Sequence, residues 1–296
     1  MLTTLGIDNT KRSCFTQCPK KYYWQFVRHL KPLKGSTALR FGSTYHAFQE
    51  EYRRQKIAGA DVQYCKANAA IKALEMWDKE TNCGQLYEHD YRTFMLCLEV
   101  FHSYLKFYTN GDFIPKMAEH VFSIPFLERE EFVINFEGKI DLIGHLYDDP
   151  QLSVIDDKTT GYTVYHVFAE KRAQLMGYCW VAHKLHPDFS TLQAYINLAY
   201  VKESVTKKKG SVVTTEFHRM PYLYSVKDIE NWHTMMMGEC ERIYKAHITS
   251  NFYPVFESCQ TKYGACDYIT LCGMTNPDEG YIKANFIEKR WEVCAE

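Results

Sequence analysis

The sequence predicts an α+β or α/β fold: a helical N-terminal part, a β-rich centre flanked by more helices, and a cysteine-rich tail. Three observations predict it. From about residue 11 to 110, aromatic and leucine positions recur at three- and four-residue steps, the spacing of one helix face. From about residue 117 the period becomes two, the mark of half-buried strands. From Asn251 onward Gly, Pro and Cys accumulate, and such a segment needs something besides an apolar core to hold it.

The elements follow in order. Residues 20–27 open as an amphipathic segment after Cys18-Pro19. Residues 41–55 form a helix with Ser43 as its expected cap, and residues 61–81 another, capped by Asp61 after Gly59. Residues 87–108 form a third. Residues 121–126, 131–136, 139–147 and 152–159 then make an antiparallel meander. Helix returns over 168–185. Strands at 191–202 and 211–222 are joined by Thr206-Lys207-Lys208-Lys209-Gly210. The last long helix covers Val226–Thr249. No internal repeat or low-complexity linker divides the chain. It reads as one domain over 1–296, with 1–115 helical, 116–225 the sheet core and 226–296 helix and tail.

A 46% hydrophobic and 15% aromatic content suits a sizeable core. The formal charge of −1 excludes a global basic field, so nucleic-acid binding would need a local patch. Lys207, Lys208 and Lys209 form one such patch, and a solvated hairpin tip explains them equally well. The first residues lack the basic-then-apolar pattern of a signal peptide. No apolar run approaches about 18 residues. These features point to the cytoplasm and away from a membrane. Eleven cysteines in that setting suggest thiols or metal-bound thiolates before disulfides.

The most informative residues lie in two β-prone runs, Gly138-Lys139-Ile140-Asp141 and Val154-Ile155-Asp156-Asp157-Lys158-Thr159. A carboxylate in such a run is costly unless something pairs with it. Tyr147-Asp148-Asp149-Pro150 between them is turn chemistry. A hairpin folded there sets residue i opposite residue 297 − i, so Asp141 faces Asp156. Opposed side chains share a face with Cβ atoms roughly 4.5–5.5 Å apart. Lys158 joins that face about 7 Å along the strand. Two close carboxylates beside a lysine read as a divalent-metal site, Mg²⁺ or Mn²⁺, with Lys158 placed to steer water or stabilise phosphate charge. A one-residue slip would exchange Asp157 for Asp156, and the Asp157 carbonyl could face the same ion.

Two helices supply further candidates. His46 and Glu50 share one face at i, i+4; alone, a helix histidine is more often structural than a ligand. Gln174 and Tyr178 share another face and are by themselves ordinary helix residues. In the tail, Cys259-x6-Cys266-x5-Cys272 suggests thiolate coordination. Cys18, at a turn into a helix, is the best fourth ligand. The spacing lacks the paired C-x2-C loops of zinc ribbons, which tilts the choice from zinc to iron–sulfur.

Taken in order, these pieces resemble the PD-(D/E)XK nuclease superfamily. They are closest to its RecB-like branch with a four-cysteine iron–sulfur cluster, which includes AddB-like, CRISPR-associated and phage exonuclease relatives. The resemblance rests on Cys18-Pro19-Lys20-Lys21-Tyr22-Tyr23, Phe41-Gly42-Ser43-x-x-His46, Gly138-x-x-Asp141, Asp156-x-Lys158-Thr159, Gln174-x3-Tyr178 and the triple-cysteine tail. It implies a restriction-endonuclease-like mixed central sheet flanked by helices. It implies Mg²⁺ or Mn²⁺ held by His46, Asp141 and Asp156, with Lys158 catalytic and Gln174 and Tyr178 supporting the site. It implies a [4Fe–4S] cluster on Cys18, Cys259, Cys266 and Cys272. The second acid is an aspartate followed by another, and the Cys259 spacing is longer than in some relatives.

The expected function is metal-dependent cleavage of DNA, single-stranded or at ends, in replication, recombination or repair, in a bacterial or phage-infected cell. A helicase or recombination protein is a candidate partner. No Gly-x4-Gly-Lys-Ser/Thr phosphate loop supplies a motor within the chain itself. The competing readings are a non-catalytic DNA-binding or assembly subunit on the same fold, and a zinc-stabilised protein without a cluster.

Overall fold

Buried and half-exposed residues alternate one for one from Phe132 to Ile140, and the five residues from Ile140 to Gly144 are all buried. That change marks where one strand passes from a half-covered to a fully enclosed position. The computed structural model describes residues 3–82, 84–88, 90–109, 111–162, 165–186, 192–206, 210–261 and 264–291. Lys207, Lys208 and Lys209 lie outside the described residues, as do Cys83 and Cys294.

The chain begins with β1 (Thr3–Ile7), α1 (Asn9–Gln17) and α2 (Pro19–Tyr22), which runs into a π turn (Tyr23–Val27). Next come β2 (Leu30–Pro32), α3 (Thr37–Ile57), α4 (Val62–Asn82) and α5 (Phe94–Phe107). The centre is β3 (Phe113–Arg129), β4 (Phe132–Leu146), β5 (Asp149–Thr160), α6 (Tyr165–Leu185), β6 (Gln193–Thr206) and β7 (Gly210–Leu223). The chain then forms α7 (Val226–Thr249), the short β8 (Gln260–Thr261) and β9 (Gly264–Ala265), α8 (Ile269–Gly273), α9 (Glu279–Asn285) and β10 (Phe286–Glu288).

Among the described residues β1, β3, β4, β5, β6 and β7 form one mixed sheet. β4 pairs antiparallel with β3 along one edge. Its other edge is shared. β1 runs parallel to it from Phe132 to Phe136, and β5 runs antiparallel to it from Leu142 to Leu146. β5 continues parallel to β6, which turns back into β7. The expected meander is therefore a mixed sheet. The two central strand predictions, 131–136 and 139–147, fuse into β4. β1 escapes sequence reading because five residues carry too little alternation.

One core cluster joins this sheet to α1, α6 and α7, through residues such as Phe136, Ile143, Leu175, Ile196 and Trp232. A second packs α3, α4 and α5 against Ala199 and Val201, which alternate with Ile196 and Leu198 and so face the other way. A third, smaller cluster joins Trp24 and Leu30 to Tyr268, Leu271 and Phe286. It ties the start of the chain to its tail, where β10 pairs with β2.

Helix starts follow local chemistry. The Asp61 carboxylate accepts the N–H groups of Gln63 and Tyr64, as expected of a cap. Ser225 and Asp228 form a reciprocal capping box on α7. Ser43 does not cap α3. That role falls to Ser36, whose hydroxyl accepts the Leu39 N–H, and Ser43 lies nearly two turns inside. Gly138 has a steric reason: a Cβ there would meet the Phe122 ring at 2.5 Å.

Candidate active site

The sheet opens at the site. The β4–β5 ladder pairs Leu142 with Ile155, Ile143 with Val154 and Gly144 with Ser153, each pair obeying the 297 − i register. At the turn the pairing is two residues off that register, because Leu146 pairs with Asp149 and a bulge absorbs the difference. The next rung would be Asp141 with Asp156, and there the backbone ladder stops. The Asp157 N–H instead donates to the Asp141 carboxylate, at 2.8 Å. Ile140 and Ile143 both enter the same core cluster, which strict alternation forbids, so the break in β4 falls beside Asp141.

Across β4 the partner strand is irregular too. β3 pairs Ala118 with Leu142 and His120 with Ile140. Glu119, between them, has φ +51°, a conformation rare for a residue with a side chain and costing roughly 1–3 kcal/mol. That kink sets its carboxylate beside Asp141. Ligand atoms of His46, Glu119 and Asp141 all lie within 4.8 Å of one another. Sequence reading missed Glu119. The available signal was a glutamate in a β-prone run that the predicted strand, starting at residue 121, just excluded.

Most nominated residues converge here. His46 Nδ1 lies 3.3 Å from Asp141 Oδ2. Lys158 Nζ donates to Asp156 Oδ1 at 2.8 Å and to the Asp157 carbonyl at 3.0 Å. Gln174 Nε2 reaches from α6 to Asp156 Oδ1 at 3.2 Å and to the Tyr178 hydroxyl at 3.0 Å. Asp156 is fully buried, and its Oδ2 has no hydrogen-bond partner. A buried carboxylate oxygen without a donor is costly and fits a cation ligand.

Asp157 is the exception. Its side chain leaves the opposite side of β5 and is bound by Arg53 and Asn197. Period two along a strand separates it from Asp156 and Lys158, so its carboxylate is withdrawn from the metal ligands expected from sequence.

Charge explains the local titration. Glu50, Glu119, Asp141 and Asp156 face two ammonium groups: Lys139, paired with Glu119 and 3.7 Å from Glu50, and Lys158. Burial, with Asp141 nearby, pushes Glu119 up to about 8 against the pull of Lys139. Burial also raises Asp156, only partly opposed by Lys158. Burial would raise Asp141 as well, but His46, Lys158 and the Asp157 N–H outweigh it and hold Asp141 well below the usual carboxylate range. Burial works against the charged form of Lys158, and Asp156 and Asp141 overcome it. The His/Glu/Asp set with the orphaned Asp156 oxygen therefore fits a hard divalent cation.

The cysteines gather at the junction of the chain's two ends. Cys18 closes α1 and precedes Pro19, the first residue of α2. The Val255 N–H donates to its sulfur at 3.4 Å, and the Lys20 N–H to the Tyr253 carbonyl at 3.0 Å. The long Cys259–Cys266 spacing has a structural cause. Gln260 pairs with Ala265 and Thr261 with Gly264, so the spacing holds the antiparallel β8–β9 pair. At its base the Cys266 N–H donates to the Cys259 carbonyl at 2.8 Å. Cys272 lies within electrostatic reach of Cys18 and Cys259. All four are free thiols.

Residues 10–273 match the sequence profile of the PD-(D/E)XK nuclease superfamily. No curated protein matches the chain significantly. Among solved structures, that of SSO0001 is similar at 13% identity, over 77% of this chain and 86% of that one, with a TM-score of 0.24; a likeness this slight bears no weight. No helix among the described residues is long and apolar enough to cross a membrane.

Proposed function

The chain belongs to the PD-(D/E)XK nuclease superfamily, and from that premise we propose that it is a Mg²⁺- or Mn²⁺-dependent deoxyribonuclease acting on DNA ends or single strands. The observation that carries the proposal is the convergence of His46, Glu119 and Asp141, whose ligand atoms lie within 4.8 Å of one another, together with the Lys158-bound Asp156, whose fully buried Oδ2 has no partner. His46, Asp141, Asp156 and Glu119 would hold the cation. When bound, that cation supplies Lewis-acid polarisation of the scissile phosphate and a more acidic water. Lys158, bonded to Asp156, would orient the attacking water and offset phosphate charge. Gln174 holds Asp156 Oδ1, and Tyr178 holds Gln174.

The second part of the proposal is a [4Fe–4S] cluster on Cys18, Cys259, Cys266 and Cys272. The convergence of both chain ends on a hairpin that brings Cys259 beside Cys266 supports it, as does the N–H donated to the Cys18 sulfur. The cluster would act as a staple between α1–α2 and the tail. Unpaired thiols suit a reducing compartment such as the cytoplasm. The site places no helicase or recombination partner.

The test is cleavage of DNA labelled at the 5′ or the 3′ end, single-stranded and duplex, with Mg²⁺, Mn²⁺ or chelator. The proposal expects metal-dependent cleavage that is lost in Asp156→Ala/Lys158→Ala. Cleavage unchanged by that double substitution refutes the assignment. A catalytically silent wild type that still binds DNA favours an assembly subunit.

A further inference from the structure

Asp156 and Asp157 send their side chains to opposite faces of β5, and only the first has a use in the reading above. Asp157 and Arg53 are almost wholly buried, at 1% and 3% exposure. Arg53 gives Asp157 two N–H groups, one on each carboxylate oxygen. Asn197 on β6 adds a third donor at 2.6 Å. The same Asn197 amide reaches the Tyr104 hydroxyl at 3.1 Å, and Tyr104 donates to Asp112 at 2.8 Å. Arg219 closes the chain of bonds on Asp112 at 2.6 Å, its guanidinium lying over the rings of Tyr108 and Phe113.

An apolar pair of similar volume would fill such a buried position at least as stably. The charged pair therefore calls for a role besides stability, and the geometry supplies one. The Asp157 backbone is shared by both halves of the site. Its N–H donates to Asp141, and its carbonyl accepts from Lys158. Its side chain is the only part of that residue gripped from the far face. Arg53 also follows His46 by seven residues on α3, two turns along the same helix face. α3 thus meets the strands at two points on one line, His46 against Asp141 and Arg53 against Asp157.

We infer that Arg53, Asp157 and Asn197 are positioning residues of the metal site. From the opposite face of the sheet they fix the orientation of the Asp157 backbone and the approach of His46 to Asp141. The inference rests on the metal-centre reading above. It differs from that reading in assigning function to groups that touch neither cation nor substrate.

The test uses the whole protein with its cysteine site intact and free divalent cations removed. Mn²⁺ affinity is read from the loss of the free-Mn²⁺ EPR signal, and folding from thermal unfolding without metal. Arg53→Met/Asp157→Leu replaces the pair with apolar groups. It should unfold near the wild-type temperature while Mn²⁺ affinity falls roughly 10- to 100-fold, as for groups that orient metal ligands. Asn197→Leu keeps the ion pair and should weaken Mn²⁺ binding in the same direction; it decides the matter if the double variant does not fold. Wild-type Mn²⁺ affinity in the folded variants overturns the inference. Asp141→Ala separates the two readings. If it also leaves Mn²⁺ affinity unchanged, the metal centre itself is wrong; if it alone abolishes binding, only the positioning role fails.

Discussion

The Asp157 backbone N–H donates to the Asp141 carboxylate at 2.8 Å, across the point where β4 and β5 stop pairing. A side chain thus replaces the missing rung of a ladder. The backbone donor is satisfied and Asp141 is fixed, while one oxygen of the neighbouring Asp156 is left without a donor.

That arrangement predicts how Asp156 behaves. Its charge is buried, and one oxygen lacks a donor. Asp156→Asn keeps an acceptor for Lys158 and Gln174 while removing the charge. The metal-free variant should be at least as stable as wild type in urea unfolding. The stabilisation conferred by Mn²⁺, about 2.7 kcal/mol at a hundredfold excess over its dissociation constant, should vanish. A variant that Mn²⁺ stabilises as fully as wild type would remove Asp156 from the ligand set.

Glu119 combines strain with a carboxylate, and two substitutions separate them. Both Glu119→Ala and Glu119→Gly delete the ligand, so both should weaken Mn²⁺ binding alike. Only glycine adopts φ +51° without a Cβ penalty. Glu119→Gly should therefore exceed Glu119→Ala in stability by about 1 kcal/mol. Equal stabilities would mean that the local backbone is not strained in solution.

The tail predicts a metal inventory. Anaerobically purified protein should show broad visible absorption and about four iron atoms per chain, as a cubane requires. Serine at Cys18, Cys259, Cys266 or Cys272 should abolish the absorption. Serine at Cys65 or Cys97, buried in the α3–α5 core, should leave it intact. One zinc and no iron would replace the cluster with a single ion.

His247 gives a pH dependence away from the site. Burial pushes its imidazole down to about 4, and its Nε2 shares a hydrogen bond with the Tyr22 hydroxyl at 3.2 Å. Between the unfolded value near 6.5 and about 4, the unfolded chain binds the extra proton. The stability this residue contributes is therefore complete above pH 6.5 and is lost as pH falls toward 4, by up to roughly 3 kcal/mol. His247→Gln should flatten that part of the stability–pH curve. An unchanged slope would show that His247 is protonated in the fold.

Much of this is legible in the sequence. The 297 − i register follows from turn residues and apolar alternation, and it holds at Leu142, Ile143 and Gly144 although the tip is displaced. The i, i+4 spacing of Gln174 and Tyr178 was enough to put them on one face, where they share a bond. Glu119 was not legible, because its position depends on a left-handed kink that no glycine announces. Arg53 was not, because Arg53-Arg54 on a helix looks like a solvated surface, and only the fold shows one arginine turned inward to Asp157. Ser43 misled as a cap because Ser36, farther upstream, begins the helix first.

β1 and β5 divide one edge of β4 between them, at Phe132–Phe136 and Leu142–Leu146. The short first strand is then a doorstop. Without residues 3–7, nothing would occupy the slot below Asp141, and the hairpin would be free to zip shut through it. Five residues that carry none of the candidate ligands would then hold the mouth of the site open.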